Sequence, residues 1–446
     1  MYFILLSFLF IFNTTTAKEI LTESKIKDFL TEENPYIYTI IGKKHVYQGK
    51  RKYYEGFFDT ILYGKYERKD YPVSTGKFTS IFIKKPFFNS IELLAGYRKA
   101  TGVQEFNNIK TGEYGELQIG LKIPVFQLKN KIDKRRLNLF LTDLQIKQID
   151  FEFQNKFRKL YLKIISSYYK AIYYKQLLNL EEELLNKAKN RIAFIKQKIQ
   201  KGALPKVYEL EANQHIINRI QRVLKAKNNY EIYLNEFIKY LNITKEKFTK
   251  EYELPSYLEL PSFSIDKKKA LEIAINNRPD LYFLLLEKEK LKQEKSFFSL
   301  LKYPKFTVSI YGVQDFKYDE GYKLSIDISY PLERRKYIGK SIEIGKNLYL
   351  LDKKLEKVKI EIQTKINNIF QTKETLEKNI ENIIREIELV KKLEEIERKK
   401  LKAGVGTLFL INQREIYTLK TMKKYLKYKL DYIILHKKLL SELNLL

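Results

Sequence analysis

Two hydrophobic periods divide the chain. The first is helical. Leu185, Ala188, Ile192, Ile195 and Ile199 step by 3, 4, 3 and 4, and Leu376, Ile380, Ile383, Ile387 and Val390 step by 4, 3, 4 and 3. That is the spacing of a coiled-coil seam. It predicts one long helix over 134–201, unbroken by Gly or Pro, and a second over 336–402. At 1.5 Å per residue each would extend about 100 Å, too long to lie inside the core of a compact domain. Each ends at glycine. The first passes through Gly202, Ala203, Leu204 and Pro205 into a helix predicted to Asn242. The second passes through Gly404, Val405, Gly406 and Thr407 into a helix over 407–446. Glycine suits the left-handed position just past a helix end, and Pro205 suits the first turn of the helix that follows. The returning helices close on Leu241-Asn242-Ile243 and Leu443-Asn444-Leu445. Two such hairpins point to an internal duplication.

The second period is two. Runs rich in aromatic and β-branched residues at 57–66, 78–84, 91–98, 116–124, 305–315 and 321–331 predict strands. In 116–124, Leu117, Ile119, Leu121 and Ile123 alternate with Gln118, Gly120 and Lys122. That alternation fits a half-buried soluble strand and a membrane-barrel strand equally well, and alone does not decide. Residues 19–30 predict a short amphipathic helix stopped near Asn34-Pro35, and 36–55 carry a weak helical pattern crossed by Gly42 and Gly49. A proline-bounded linker covers 254–261. A helix over 267–301 breaks at Asn277-Arg278-Pro279-Asp280, with Asn277 read as the N-cap of its second part. The order is helix, strands, long helix, turn, helix, then the same again. It predicts a leader at 1–17, a first repeat over 18–243, a linker at 244–266 and a second repeat over 267–446. Few strands per copy, at the end of long rods, would close a barrel only by association of several chains.

Composition changes this picture in three places. Lys and Arg exceed Asp and Glu by 84 − 54 = 30 across 446 residues. The lysines are interspersed with acids, as in Glu181–Arg191, which fits solvated helix faces better than a nucleic-acid surface, so no nucleic acid is expected as partner. Cysteine is absent and the three histidines, His45, His215 and His436, lie far apart. No disulfide, thiol nucleophile, metal site or cofactor is therefore expected. The Arg278-Pro279-Asp280 triplet reads as a helix start rather than a catalytic group. Gly404-Val405-Gly406 follows a helix and lacks the Lys-Ser/Thr of a phosphate loop. No catalytic constellation appears, so no enzyme is expected. Third, Met1–Ala17 has an apolar stretch from Tyr2 to Phe12, then polar residues and Thr15-x-Ala17. It is too short to span a bilayer and reads as a secretory signal peptide, although its n-region has no Lys or Arg. With no cysteine after it, no lipid anchor is expected.

Several stretches, taken in order, give the chain a resemblance. They are KGALPKVYELEA (201–212) and AGVGTLFLINQRE (403–415) at the turns, NNRPDL (276–281) opening a helix toward YPKFTVSIYG (303–312), and GLKIPVF (120–126) and DISYPLERRKYIG (327–339) leading into long helices. Together they resemble the TolC-type outer-membrane efflux proteins over essentially everything after residue 19. The resemblance implies an α+β membrane protein: a homotrimer whose strands close one barrel in outer-membrane lipid, continued by a periplasmic helical barrel with internal duplication. It also implies a passive conduit docking to a periplasmic adaptor and an inner-membrane transporter. On that match the docking tip comprises Gly202, Ala203, Leu204, Pro205, Gly404, Val405, Gly406 and Thr407. Two features depart from the family. The first half holds four strand-like runs where two are usual, either extra strands or a loop or plug within 57–85, and the helix ahead of them reads as short or degraded. The acidic, tyrosine and arginine side chains that often close the tip are replaced by Leu401, Gly406, Leu410 and Gln413. Lys201, Lys206, Lys402 and Arg414 nearby predict a basic aperture. A secreted structural coiled coil and a basic nucleic-acid-binding coiled coil are the alternatives; neither accounts for the strand clusters.

Overall fold

The computed structural model describes residues 18–72, 74–102, 110–125 and 133–446. The leader expected at 1–17 lies outside the described residues. In chain order the principal elements are α1 (Pro35–Glu55), β1 (Ile61–Tyr71), β2 (Ser74–Pro86), β3 (Glu92–Thr101), β4 (Glu116–Pro124), α2 (Lys134–Gln200), α3 (Val207–Leu241), α4 (Lys245–Glu251), α5 (Lys267–Asn277), α6 (Pro279–Ser299), β5 (Lys305–Asp315), β6 (Glu320–Ser329), α7 (Arg335–Lys402) and α8 (Leu408–Glu442). The two long helices have 67 and 68 residues, and each returning helix has 35.

The chain divides into two compact units, each drawing on both halves of the sequence. One comprises residues up to Ile40, Asn155–Arg278 and Ile360–Leu446; the other comprises Ile41–Gln154 and Pro279–Lys359. The first is helical. Its core gathers Tyr161, Ile165, Tyr168 and Ile172 of α2, Leu234 and Phe237 of α3, and Leu430 and Ile433 of α8. The segment after residue 18 is bound into it. Glu19–Ile20 pairs in parallel with Tyr252–Glu253, Leu21 and Ile26 are fully buried, and Glu23 accepts from Tyr169 Oη at 2.6 Å and Lys437 Nζ at 2.7 Å. Only Glu23–Ile26 and a 3-10 turn at Lys27–Phe29 are helical here, less than the run expected over 19–30. Near the C-terminal end of α8, Glu442 pairs with Arg278 and Ser441 O accepts from Arg158 at 2.6 Å. Arg278 is thus a buried structural cation, and it separates α5 from α6, so Asn277 ends one helix instead of capping the next.

The second unit holds a six-stranded antiparallel sheet in the order β1-β2-β3-β4-β5-β6. All four strand-like runs of the first half contribute strands to it, although residues 56–58 form a 3-10 turn ahead of β1. The helix read as degraded is a full 21 residues, α1. Pro35 opens it, and Asn34 Oδ1 accepts from Tyr36 N at 3.0 Å. Further along, Lys43–Glu152, Lys44–Asp150 and Arg51–Asp143 tie α1 to α2 at 2.7–2.9 Å. Glycine inside a helix costs about 1 kcal/mol relative to alanine, and this helix carries two, Gly42 and Gly49.

Candidate functional site

The sheet carries its burial inside out. Along β4, Glu116, Gln118 and Gly120 are buried while Leu117, Ile119 and Leu121 are exposed. Gln118 is 5% exposed and Ile119 is 55% exposed. A soluble half-buried strand would show the reverse. β2 repeats the arrangement, with Phe78, Ser80 and Phe82 buried and Thr79, Ile81 and Ile83 exposed, while β3 is half-buried on both faces and β1 and β6 are exposed on both. Pairing carries the two faces across the sheet, because residues directly opposite share a face. The outward row through Ile119 runs Leu62, Ile83, Ala95, Ile119, Gly312, Tyr322. The neighbouring row, on the other face, runs Tyr63, Phe82, Gly96, Gln118, Val313, Gly321. Ile81, Ile310, Leu324, Ile326 and Ile328 join the exposed apolar face. The other face holds Ser80, Ser309 and the pair Arg98–Glu116, with Gln118 Nε2 donating to Glu116 at 2.6 Å. Phe82 lies over Gly96 and Tyr311 over Gly120, where any Cβ would meet the ring. Strand lengths of 9 to 13 residues match what a tilted strand needs to cross a bilayer. Among the described residues no helix is long and apolar enough to do so.

The two glycine turns are the same device. Gly202 has φ +72° and Gly404 has φ +83°. Gly202 N donates to Ile199 O at 2.9 Å and Ala203 N to Lys198 O at 2.8 Å; Gly404 N donates to Leu401 O at 3.2 Å and Val405 N to Lys400 O at 3.1 Å. Each is a Schellman stop, which satisfies carbonyls that the last helical turn leaves free. The restarts differ. Thr407 caps α8, its hydroxyl accepting from Leu410 N at 3.3 Å. Pro205 stands two residues ahead of Val207, so it precedes the first turn instead of lying within it. One apolar cluster joins the turns: Ile195 and Ala212 with Leu408 and Ile411, and Leu204 and Leu401 packed against them. Of the eight predicted tip residues Leu204 enters this cluster, and the second turn is held beside the first through Leu401 and Leu408 on either side of it. Gly202, Ala203, Pro205, Gly404, Val405 and Thr407 are exposed, Val405 at 79%. Lys201, Lys206 and Lys402 are exposed beside them, and Arg414 is half-buried.

Just inside the turns lies a charged group that the sequence reading passes over. Glu415 is fully buried and pairs with both Arg191 and Arg219, the latter at 2.7 Å. Asn412 Oδ1 accepts from Arg191 Nη1 at 2.9 Å, and Leu184 O accepts from Arg219 Nη1 at 3.1 Å. Burial lowers the pKa of Arg191 and Glu415 opposes it. Burial also lowers that of His215, with Arg219 adding to the effect. The signal was present: Leu408, Ile411, Asn412, Glu415, Thr418 and Leu419 form one buried helical stripe, so a carboxylate stands where packing calls for an apolar residue.

No protein-family model and no curated protein matches the chain. Solved structures do match. The outer membrane protein VceC of Vibrio cholerae superposes with a TM-score of 0.72 at 10% identity, over 95% of this chain and 96% of that one. The CmeC outer membrane channel of Campylobacter jejuni gives 0.70 at 11% identity, over 95% and 85%. The chain has the TolC-type outer-membrane channel fold. The MtrE outer membrane channel of Neisseria gonorrhoeae, in its open state, gives 0.67 at 11% identity, over 95% and 88%.

Proposed function

We propose that the chain is the outer-membrane channel of a tripartite efflux or secretion system, a passive conduit formed by three copies. The observation that carries this reading is the exposed apolar face of the sheet, opposite a face that is buried along β2 and β4 and carries Ser80, Glu116 and Gln118. Water offers that face nothing, whereas lipid would cover it and the polar face would line a lumen. The long hairpins would extend through the periplasm, their equal lengths in the two halves arising from duplication. Energy would come from the inner-membrane partner. The exposed, small-residue turns at 202–205 and 404–407 suit docking of an adaptor's helical hairpin, with Val405 as an apolar contact. Replacing Val405 or Ala203 by Glu would then abolish export while leaving assembly unchanged; full export by both variants would remove the tip from the docking surface. The lysines around the turns predict anion preference, and a cation-selective current in planar bilayers would contradict it.

The deciding experiment separates inner and outer membranes and measures the mass of the detergent-extracted protein by light scattering. A trimer from the outer-membrane fraction is expected. A soluble dimer or a cytosolic location would end the channel reading and make nucleic-acid binding the next test.

A further inference from the structure

The sheet has two long edges. β1 and β6 span 11 and 10 residues, and each is hydrogen-bonded on one side only among the described residues. Neither contains proline. Their ladders to β2 and β5 run without a bulge, from Ile61↔Lys84 to Tyr71↔Ser74 and from Lys305↔Ser329 to Gln314↔Glu320. Soluble proteins blunt such edges, and in lipid each unpaired backbone group costs several kcal/mol.

The position of the apolar residues shows how the edges fit the wall. The row Leu62, Ile83, Ala95, Ile119, Gly312, Tyr322 crosses all six strands at one level. In β1 the outward stretch, Leu62 to Tyr66, runs from that row away from the helical end. In β6 it runs from Tyr322 to Ile328, toward the helical end. In β3 and β4 the row passes near the middle, through Leu93–Tyr97 and Leu117–Ile123. The apolar band thus slides along the strands by about one residue per strand, without a step between β2 and β3. With a rise of about 3.3 Å and a spacing of about 4.8 Å, that slide is a strand tilt of roughly 35°, within the range of closed barrels. A plug or an appended hairpin would have no reason to keep the band in step.

We propose that all six strands line the barrel wall and that the seam between copies joins β1 of one copy to β6 of the next. This rests on the reading that copies of this chain close one barrel. Continuing the same slide across the seam fixes its register: Lys65 opposite Ser325 of the next copy, Leu62 opposite Ile328, Tyr66 opposite Leu324 and Glu67 opposite Lys323. Apolar residues then meet apolar residues on the lipid face, and a carboxylate meets an ammonium on the other. Six strands contribute about 35 Å of perimeter per copy, so three copies enclose a backbone cylinder about 34 Å across, against about 22 Å for β3–β6 alone. The wall is thus sized for cargo wider than a small molecule where it crosses the membrane.

Because the chain lacks cysteine, the seam can be tested directly. Lys65→Cys with Ser325→Cys, oxidised in outer-membrane vesicles, is expected to give a covalent ladder of dimers and larger species, and either single variant none above the dimer. A ladder from Leu94→Cys with Asp327→Cys, and none from the first pair, would mean that β3 forms the seam and would overturn the proposal. Should the substitutions prevent assembly, a cryo-electron microscopy map of the unmodified protein counts strands per copy: six supports the seam and four refutes it. The same map counts copies, so a barrel of other than three chains would fail the trimer reading while leaving six strands per copy standing.

Discussion

At the scale of single residues, the chemistry concentrates in Glu415. Its carboxylate is fully buried and holds two guanidiniums from the other hairpin. Breaking a buried pair from one side leaves an uncompensated charge, which costs about 3–5 kcal/mol. Glu415→Gln should therefore lower the denaturant midpoint strongly with no change of slope. An unaltered midpoint would mean that water reaches Arg219. The histidines supply a second expectation. Burial depresses the pKa of both His215 and His436 below the ordinary 6.5, and His436 packs edge-on to Phe263 at 4.9 Å. The unfolded chain takes up these protons first, so stability should hold above about pH 6.5 and fall as the pH drops through the lowered folded values. His215→Gln with His436→Gln should flatten the midpoint between pH 7 and 5; an equally steep decline in that variant would assign it to carboxylates.

At the scale of elements, the turns separate two uses of glycine. A Cβ at Gly202 or Gly404 would meet nothing within 4 Å, so alanine there strains only the backbone, by about 1–2 kcal/mol. A Cβ at Gly406 would lie 2.6 Å from Leu401 N. Gly406→Ala should therefore destabilise more than Gly404→Ala, and it should also loosen the stop ahead of α8, readable as faster proteolysis between 400 and 408. Equal effects at the two positions would contradict the contact. The elements themselves were largely legible: β4 and β5 fall where the period of two places them, and the long helices end within a residue of expectation. α1 was hidden because its start is held by a partner distant in sequence, buried Asn34 donating from Nδ2 to Tyr240 O at 2.8 Å, while its local signal is diluted by Gly42 and Gly49. The ion cluster was hidden because Arg191 and Arg219 look like ordinary surface cations until α8 lies across them.

At the scale of the whole molecule, the alternation in 116–124 was visible from the start, but its meaning depended on which face is covered, which only the pairing of six strands reveals. The face predicts its own test. Ile326→Lys puts a charge on the apolar side, where lysine costs about 2–4 kcal/mol at the middle of a bilayer. Thr307→Lys puts it on the polar side, opposite Asp327. The first should cut the yield of assembled protein in the outer membrane and the second should leave it near normal; the reverse order would invert the two faces.

The pairing of β4 with β5 reaches beyond assembly into kinetics. Glu116 lies opposite Asp315, and Pro124 opposite Thr307, so this ladder closes a loop of about 190 residues, while the ladders beside it join near neighbours in sequence. Non-local pairing is slow because its entropy is lost before any contact compensates. Two local half-sheets, β1–β4 and β5–β6, should therefore form first and wait, each presenting an apolar face and a raw inner edge. For that interval the chain is at its most aggregation-prone, because both half-sheets expose an apolar face and an unpaired strand edge.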